Sequence, residues 1–221
     1  VGAPLGGLLL TMDGFGGLKT AYLDRVVFRI IPEPGAQVAA LEAGEVHMLE
    51  QIPMPAARRL SGSPDIVLHE NMPWAFTTFH LNLATPPTDN VKFREAVQVA
   101  LQMEEIMAIA SEGLYQLNHG WQYPGTTFWA GDIGLEYYNL ADTARAQALL
   151  AEAGYNGEPF SILTDSNIPE HGRAAVVIAE QLRNAGINAV INQVDWPTAL
   201  NIRLQDSGWN GWTLQMGIEP V

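Results

Sequence analysis

The sequence contains no cysteine among its 221 residues, which excludes disulfide bonds, thiol catalysis and cysteine-ligated metal sites. This absence suits an oxidising compartment, where a free thiol would be a liability. Basic residues are also scarce, because 11 Lys and Arg stand against 24 Asp and Glu, for a formal net charge of −13. A surface this acidic repels phosphate backbones and anionic membrane surfaces, so nucleic acid is a poor partner.

Long apolar runs and catalytic signatures are missing too. The apolar run at residues 8–10 is far too short to cross a bilayer. The sequence has no G-x-S-x-G elbow, no H-E-x-x-H zinc motif and no phosphate-binding loop, and the glycines within residues 14–17 lack the full dinucleotide spacing. Their absence does not exclude an enzyme, but it removes the common ways of being one. We predict no catalytic residue, no metal site and no cofactor.

Apolar residues make up 48% of the chain, which is enough for a substantial core. Their periodicity predicts strands that alternate with helices, and so an α/β fold with a mixed β-sheet flanked by helices. The predicted strands and extended segments span residues 24–31, 46–50, 66–70, 75–83, 160–164, 189–194 and 212–216. The predicted helices span residues 34–43, 55–60, 92–111, 170–185 and 197–205, with one more inside residues 137–155.

The helix inside residues 137–155 has signals for both of its ends. Asn139 is a good N-cap, and the carboxylate of Asp142, three residues later, can reach back to free backbone amides. Gly154 supplies the left-handed position that follows a helix C-terminus.

This helix, Y-Y-N-L-A-D-T-A-R-A-Q-A-L-L-A-E-A-G-Y, resembles the late-middle part of family 5 extracellular solute-binding proteins. These proteins serve ABC importers as receptors for oligopeptides, dipeptides, nickel chelates and some oligosaccharides. Three more segments resemble the family in the same order: residues 22–49 with A-L-E-A-G-E-V-H, residues 82–106 with N-L-A-T-P-P-T-D-N-V-K-F-R-E-A, and residues 174–196 with A-G-I-N-A-V-I-N-Q-V-D-W. His47, Gln102 and Met103 depart from the family pattern, so the subfamily and the ligand stay open.

The resemblance implies that residues 1–221 form a single α/β lobe of a two-lobe periplasmic-binding-protein-like fold. The first lobe and a C-terminal return segment are then absent from this chain. The expected function is the substrate-binding component of an ABC importer, which captures a solute in the interlobe cleft by domain closure and is not an enzyme. The expected partners are an oligopeptide or dipeptide, with a sugar or chelated metal as alternatives, and the membrane permease. The expected location is extracytoplasmic, in the periplasm or lipid-anchored at the outer face of the cell membrane.

Ligand contacts are predicted mainly from aromatic residues. Residues 114–138 place Trp and Tyr among Gly and Pro without a sustained period, which is typical of a functional loop. Most of the six tryptophans are expected in the core. In the family, strand ends and loops of this kind face the cleft, so we predict that Trp74, Trp129 and Trp212 contact ligand. Glu219 lies near the position where many peptide-binding relatives carry an Asp that pairs with the peptide amino terminus.

The alternative function is a hydrolase or transferase domain that uses a carboxylate in the Trp-rich loop, and turnover of the ligand would distinguish the two. The five histidines are scattered and are expected to have structural roles: His47, His69, His80, His119 and His171. Asp165 and Glu170 flank a loop after a strand carboxyl end, where they could face a cleft. Helix capping is the favoured role for that region.

Overall fold

A computed structural model describes residues 20–69, 75–124 and 129–217, together with the backbone of residues 12–13 and 16–17. The described residues fall into two compact units, one up to residue 69 and one within residues 75–217. None of the helices in these ranges is long and apolar enough to span a membrane.

The first unit is largely irregular, with two short strands and two helices. The strands β1 (Met12–Asp13) and β2 (Gly16–Gly17) pair antiparallel. The helices α1 (Pro34–Glu42) and α2 (Met54–Leu60) each have proline in the first turn, where its missing amide leaves no hydrogen bond unmade. Arg59 of α2 donates to both carboxylate oxygens of Glu42 in α1, at 2.5 and 3.0 Å.

The strands predicted at residues 24–31 and 46–50 are wrong, and the described part of segment 66–70 is also irregular. Apolar residues that favour strands are present, yet the side chains of Phe28 and Ile30 are 90% and 92% exposed. A strand needs a neighbour for its backbone hydrogen bonds, and within the described ranges these segments pair with none. The helices predicted at 34–43 and 55–60 are confirmed to within one or two residues.

The second unit contains the mixed sheet. Its elements are β3 (Ala75–Leu81), α3 (Val91–Ala100), α4 (Met103–Ala110), a 3-10 helix (Leu135–Tyr137), α5 (Thr143–Ala153), β4 (Phe160–Asp165), α6 (Pro169–Asn184), β5 (Ala189–Val194), α7 (Trp196–Arg203) and β6 (Gly211–Gly217). The strand order is β3-β6-β4-β5. Strand β3 runs antiparallel to β6, whereas β4 is parallel to both β5 and β6. The predicted fold class is confirmed.

The sheet buries both of its faces, because successive residues of a strand point to opposite sides. Phe160 and Ile162 of β4 join the larger core, which α3, α4, α5 and α6 build with them. Leu163 of β4 and Trp212 of β6 join a smaller core against α7. A sheet covered on both faces explains why the adjacent Ile162 and Leu163 of β4 are both buried.

The helix predicted over residues 92–111 is two helices in the structure. Leu101 adopts extended backbone, with φ −84° and ψ 137°, between α3 and α4. The freed carbonyls find new partners, because the Val99 carbonyl accepts from the Asp142 amide at 2.8 Å and the Leu101 carbonyl from the Ala141 amide at 3.3 Å. The break therefore depends on a distant segment, and residues 100–103 carry no Gly or Pro to signal it.

Helix α5 confirms one predicted end and corrects the other. Gly154 has φ +69°, and the Tyr155 amide donates to the Leu150 carbonyl at 3.1 Å, the pattern of a Schellman C-cap. The N-cap prediction for Asn139 is wrong, because the cap of α5 is Asp142, whose carboxylate accepts from the Arg145 amide at 2.9 Å. Asn139 has φ +58° and lies outside the helix.

Candidate functional site

A cavity of about 420 Å³ lies where β3 begins and β6 ends. These two ends meet because the strands are antiparallel, and Phe76 of β3 is the register partner of Met216 of β6. Among the described residues that line it, none is charged: Phe76, Trp121, Gln122, Gln215, Met216 and Gly217. A cavity lined by aromatic and uncharged polar side chains has the general form of a small-molecule site.

Three stacked rings form an aromatic shelf at this cavity, which we define as Phe76, Trp121 and Tyr123. The ring of Phe76 stacks on Tyr123 with centroids 5.0 Å apart and on Trp121 with centroids 6.0 Å apart. Tyr123 is buried, and its burial raises the pKa of its hydroxyl. Trp121 is 60% exposed. The shelf is thus anchored at one ring and presents another to solvent.

Polar contacts fix the loop that carries Trp121. The Asn118 side-chain amide donates to the carbonyls of Gly120 and Gln122, at 2.7 and 3.1 Å. His119 Nε2 donates to the Gly131 carbonyl at 2.9 Å, which ties the two described parts of the loop together. Burial raises the pKa of Tyr138 in the same loop to about 12. The described parts of the irregular segment predicted at residues 114–138 are therefore held by hydrogen bonds within the segment.

His80 and Trp212 lie under the shelf as register partners in β3 and β6. The His80 ring meets Trp212 edge-on, with centroids 6.2 Å apart, and tilts toward Trp121 at 6.5 Å. Burial lowers the pKa of His80, and the positive charge of Arg203 lowers it further. The imidazole at this site is therefore biased toward its neutral form.

The four predicted ligand contacts fall in different environments. Trp129 is half-buried against the edge of His119, with centroids 5.1 Å apart, and does not line the cavity. Trp212 is only 1% exposed, and the Arg203 guanidinium lies 5.1 Å from its ring centroid. Trp74 and Glu219 lie outside the described residues. The ligand contacts of all four stay predictions.

None of the described lining residues is among the predicted ligand contacts: Phe76 on β3, Trp121 and Gln122 on the loop, and Gln215, Met216 and Gly217 on β6. Trp121 lies in the loop predicted to be functional, but it is not among the predicted ligand contacts. No local signal singles out Trp121, because Gly120 and Pro124 also flank Tyr123, which is buried.

Asp165 and His171 are both fully buried, and they pair at the carboxyl end of β4. One carboxylate oxygen of Asp165 accepts from the amides of Asn167 and Ile168, at 3.0 and 2.9 Å, and the other contacts His171 Nδ1. These bonds form an Asx-type turn just before α6. The favoured capping role is not observed, because the N-cap residue of α6 makes no side-chain cap bond. The role is structural because the pair is closed to solvent.

Glu170 lies in the first turn of α6 and faces the sheet. Its carboxylate accepts from the Thr77 hydroxyl of β3 and from Gln215 Nε2 of β6, the latter at 3.3 Å. These two hydrogen bonds attach the first turn of α6 to strands β3 and β6. Across the ranges that the structure describes, no group of three His, Asp or Glu side chains is arranged to hold a metal ion.

The sequence profile of the bacterial extracellular solute-binding proteins, family 5 Middle, matches residues 12–219. The chain belongs to this family. Among curated family relatives, it is 29% identical over 208 residues to the probable peptide ABC transporter periplasmic-binding protein y4tO of Sinorhizobium fredii, covering 90% of this chain and 39% of that protein. It is 26% identical over 165 residues to the nickel-binding periplasmic protein of Escherichia coli, covering 68% of this chain and 31% of that protein.

The family resemblance extends to solved structures. The chain superposes on the periplasmic binding protein DppA of Helicobacter pylori, in complex with the peptide STSA, with a TM-score of 0.77 and 26% identity. The match covers 90% of this chain and 38% of DppA. The chain thus spans about two fifths of the length of relatives such as y4tO and DppA. The fold described above is the fold of the corresponding part of these binding proteins.

Proposed function

We propose that this chain is part of the substrate-binding component of an ABC importer and contributes one wall of its solute-binding cleft. The observation that carries the proposal is the family match over residues 12–219. We place this wall at the cavity beside the aromatic shelf, because the cavity is open and the exposed ring of Trp121 flanks it.

The proposed mechanism is domain closure without chemistry. Residues 1–221 supply one α/β lobe, and a second lobe in the longer protein closes over the solute. Closure is stabilised when the solute contacts both lobes in the closed state and only one in the open state. An exposed tryptophan on one wall favours this mechanism, because it gains buried area only on closure. Trp74, Trp129, Trp212 and Glu219 remain proposed contacts of the solute.

A peptide is the proposed ligand class, since y4tO and DppA are named for peptides or bound to one. A sugar is the second candidate because an exposed indole ring also suits a sugar ring. A chelated metal is the third, since the E. coli relative is named for nickel. The proposed partner for delivery is a membrane permease. The proposed location is extracytoplasmic, in the periplasm or on a lipid anchor at the outer face of the cell membrane.

The hydrolase or transferase alternative lacks support from the Trp-rich loop. The carboxylates of its described residues, Asp132 and Glu136, belong to exposed side chains and do not line the cavity. A general acid or base needs a position within hydrogen-bond reach of bound substrate.

The test is binding without turnover by the full-length protein. Native mass spectrometry should find a small molecule in the purified protein. Calorimetry with a mixed tripeptide pool should show saturable binding, and chromatography after prolonged incubation should recover the peptides intact. Cleavage of the peptides would support the enzymatic alternative. Failure to bind peptides, oligosaccharides and nickel chelates alike would refute the receptor proposal.

A further inference from the structure

The sequence contains two Asn-Gly pairs, Asn156-Gly157 and Asn210-Gly211. Asparagine followed by glycine is the pair that deamidates most readily, because glycine has no side chain to hinder attack by its own amide nitrogen and its backbone adapts to the ring that forms. The attack also requires the asparagine side chain to turn toward that nitrogen. Local structure therefore decides which of the two pairs reacts.

The pair at Asn210 is held inside the sheet. Asn210 is 7% exposed, and Gly211 is buried at the start of β6 with β3 on one side and β4 on the other. The side-chain oxygen of Asn210 accepts from the Ser161 amide at 2.9 Å, and its side-chain nitrogen donates to the Pro86 carbonyl at 3.0 Å. Attack by the Gly211 nitrogen would require these buried bonds and the strand pairing to open together.

The pair at Asn156 lies in the loop between α5 and β4, and both of its residues are exposed. Within the described residues, the Asn156 side chain makes one hydrogen bond, from Nδ2 to the Gly154 carbonyl at 2.9 Å, and the Gly157 amide makes none. Gly157 has φ +90°, and a Cβ built on it would meet nothing within 4 Å. The attacking nitrogen is therefore both unbonded and uncrowded.

Hydrogen bonds around this pair hold the loop without using the attacking nitrogen. The Gly157 carbonyl accepts from Asn188 Nδ2 at 3.0 Å, and the Asn156 amide donates to the Glu158 carboxylate at 2.9 Å. The exposed bond from Asn156 to Gly154 exchanges readily for bonds to water. Only the side chain of Asn156 has to move for the reaction to begin.

From this contrast we infer that Asn156 is a site of spontaneous deamidation in the folded protein and that Asn210 is protected from it. The Gly157 nitrogen bonds to Asn156 Cγ, the bond from Cγ to Nδ2 breaks, and ammonia leaves with the proton of the Gly157 amide. Water then opens the cyclic imide, giving aspartate by addition at Cγ and isoaspartate by addition at the backbone carbonyl carbon. The reaction involves no solute and so stands apart from the proposed function.

The product should weaken the loop. A carboxylate at position 156 has no proton to donate to the Gly154 carbonyl, and it places a negative charge just beyond the C-terminus of α5, where the helix dipole disfavours it. The Glu158 carboxylate, bonded to the amide of the same residue, adds repulsion between like charges. Deamidation at Asn156 should therefore lower the Tm.

Peptide mapping of the full-length protein by mass spectrometry tests the inference. Samples are kept at mildly alkaline pH, folded in buffer or unfolded in urea, until both pairs have reacted in urea. The two pairs should react at similar rates in urea, where only the local sequence matters. In the folded protein, Asn156 should still react, and Asn210 should react at least about tenfold more slowly than Asn156.

Variants test the consequence for stability. Asn156→Asp supplies the product carboxylate, whereas Asn156→Gln keeps a neutral amide and forms a larger ring that closes more slowly. The aspartate variant should melt at a lower Tm than the glutamine variant, and the glutamine variant should stay unmodified at this position.

Three outcomes would overturn the inference or its consequence. An Asn156 that stays intact in the folded protein while it reacts in urea would show that the loop protects it. Equal rates at Asn156 and Asn210 in the folded protein would show that the sheet gives no protection. Equal Tm values for Asn156→Asp and Asn156→Gln would refute the loss of stability. Each of these outcomes leaves the receptor proposal standing, because none depends on solute binding.

Discussion

The side-chain oxygen of Asn139 accepts a hydrogen bond from the Glu104 amide at 3.0 Å, so a residue just before α5 caps the start of α4. Gln102, at the N-cap position of α4 itself, makes no side-chain cap bond. Asn139 reaches this position from the left-handed region, at φ +58°, which asparagine tolerates better than most residues. This bond helps to hold the junction of α3 and α4 against the segment that leads into α5.

Replacement of Asn139 should therefore destabilise the chain in two separable ways. Asn139→Gly loses only the cap and should lower the free energy of unfolding by about 1 kcal/mol. Asn139→Ala also keeps a Cβ in the left-handed region, without the polar side chain that lets asparagine tolerate it, so it should be less stable than the glycine variant by up to roughly 1–2 kcal/mol. Urea unfolding of both variants measures the difference. Equal stability of the alanine and glycine variants would show that the left-handed backbone is not retained at this position.

Asn139 shows what a local sequence signal can predict and what it cannot. Its residue type predicts a cap, and it is one, but for α4, a helix that begins 36 positions earlier in the sequence. The signal at Gly154 needs no distant partner, because a left-handed glycine ends a helix by its own backbone geometry, and that prediction is confirmed. Strand β5 was likewise predicted with its observed bounds, from a short β-branched run next to the Gly186 turn.

What sequence reasoning missed depends on contacts between distant segments. The break at Leu101 is stabilised by amides of Ala141 and Asp142, about 40 positions away. The exposure of tryptophans is decided in the same way. Trp212 is buried because its register in β6 points it toward α7, whereas Trp121 is exposed on a loop. Composition alone does not tell which of two tryptophans is buried, because burial depends on the strand register.

Removal of Asp165 should strongly destabilise the second unit. Asp165→Ala leaves His171 buried without its partner and leaves the amides of Asn167 and Ile168 unsatisfied. Breaking a buried pair in this way typically costs roughly 3–5 kcal/mol. Asp206→Ala, at an exposed aspartate, should stay within about 0.5 kcal/mol of the parent. Denaturant midpoints for the two variants provide the comparison, and similar losses would contradict the buried network.

Gly211 is required for packing at the start of β6. A Cβ at this position would lie 2.4 Å from Phe79 Cζ and 3.1 Å from Phe160 Cζ, so Gly211→Ala forces the half-buried Phe79 ring to move. Overpacking of this kind typically costs roughly 1–3 kcal/mol. Gly62→Ala is the control, since a Cβ there meets nothing within 4 Å. Thermal melting should show a lower Tm for Gly211→Ala alone, and an unchanged Tm would mean that Phe79 can rotate away freely.

The stability of the chain should depend on pH through His80. Burial and the charge of Arg203 lower the pKa of His80 in the folded state, so below its ordinary value of 6.5 the unfolded chain binds more protons at this residue. The contribution of neutral His80 is therefore present above pH 6.5 and is lost as pH falls through and below that value. His80→Gln removes the titrating group, so its free energy of unfolding should fall less than that of the parent when the pH is lowered from 7.5 to about 5.5.

Urea unfolding at both pH values measures this difference. The control for loss of an imidazole is His47→Gln, at an exposed histidine. Parallel losses in the parent and in His80→Gln would show that the pH dependence arises from other groups.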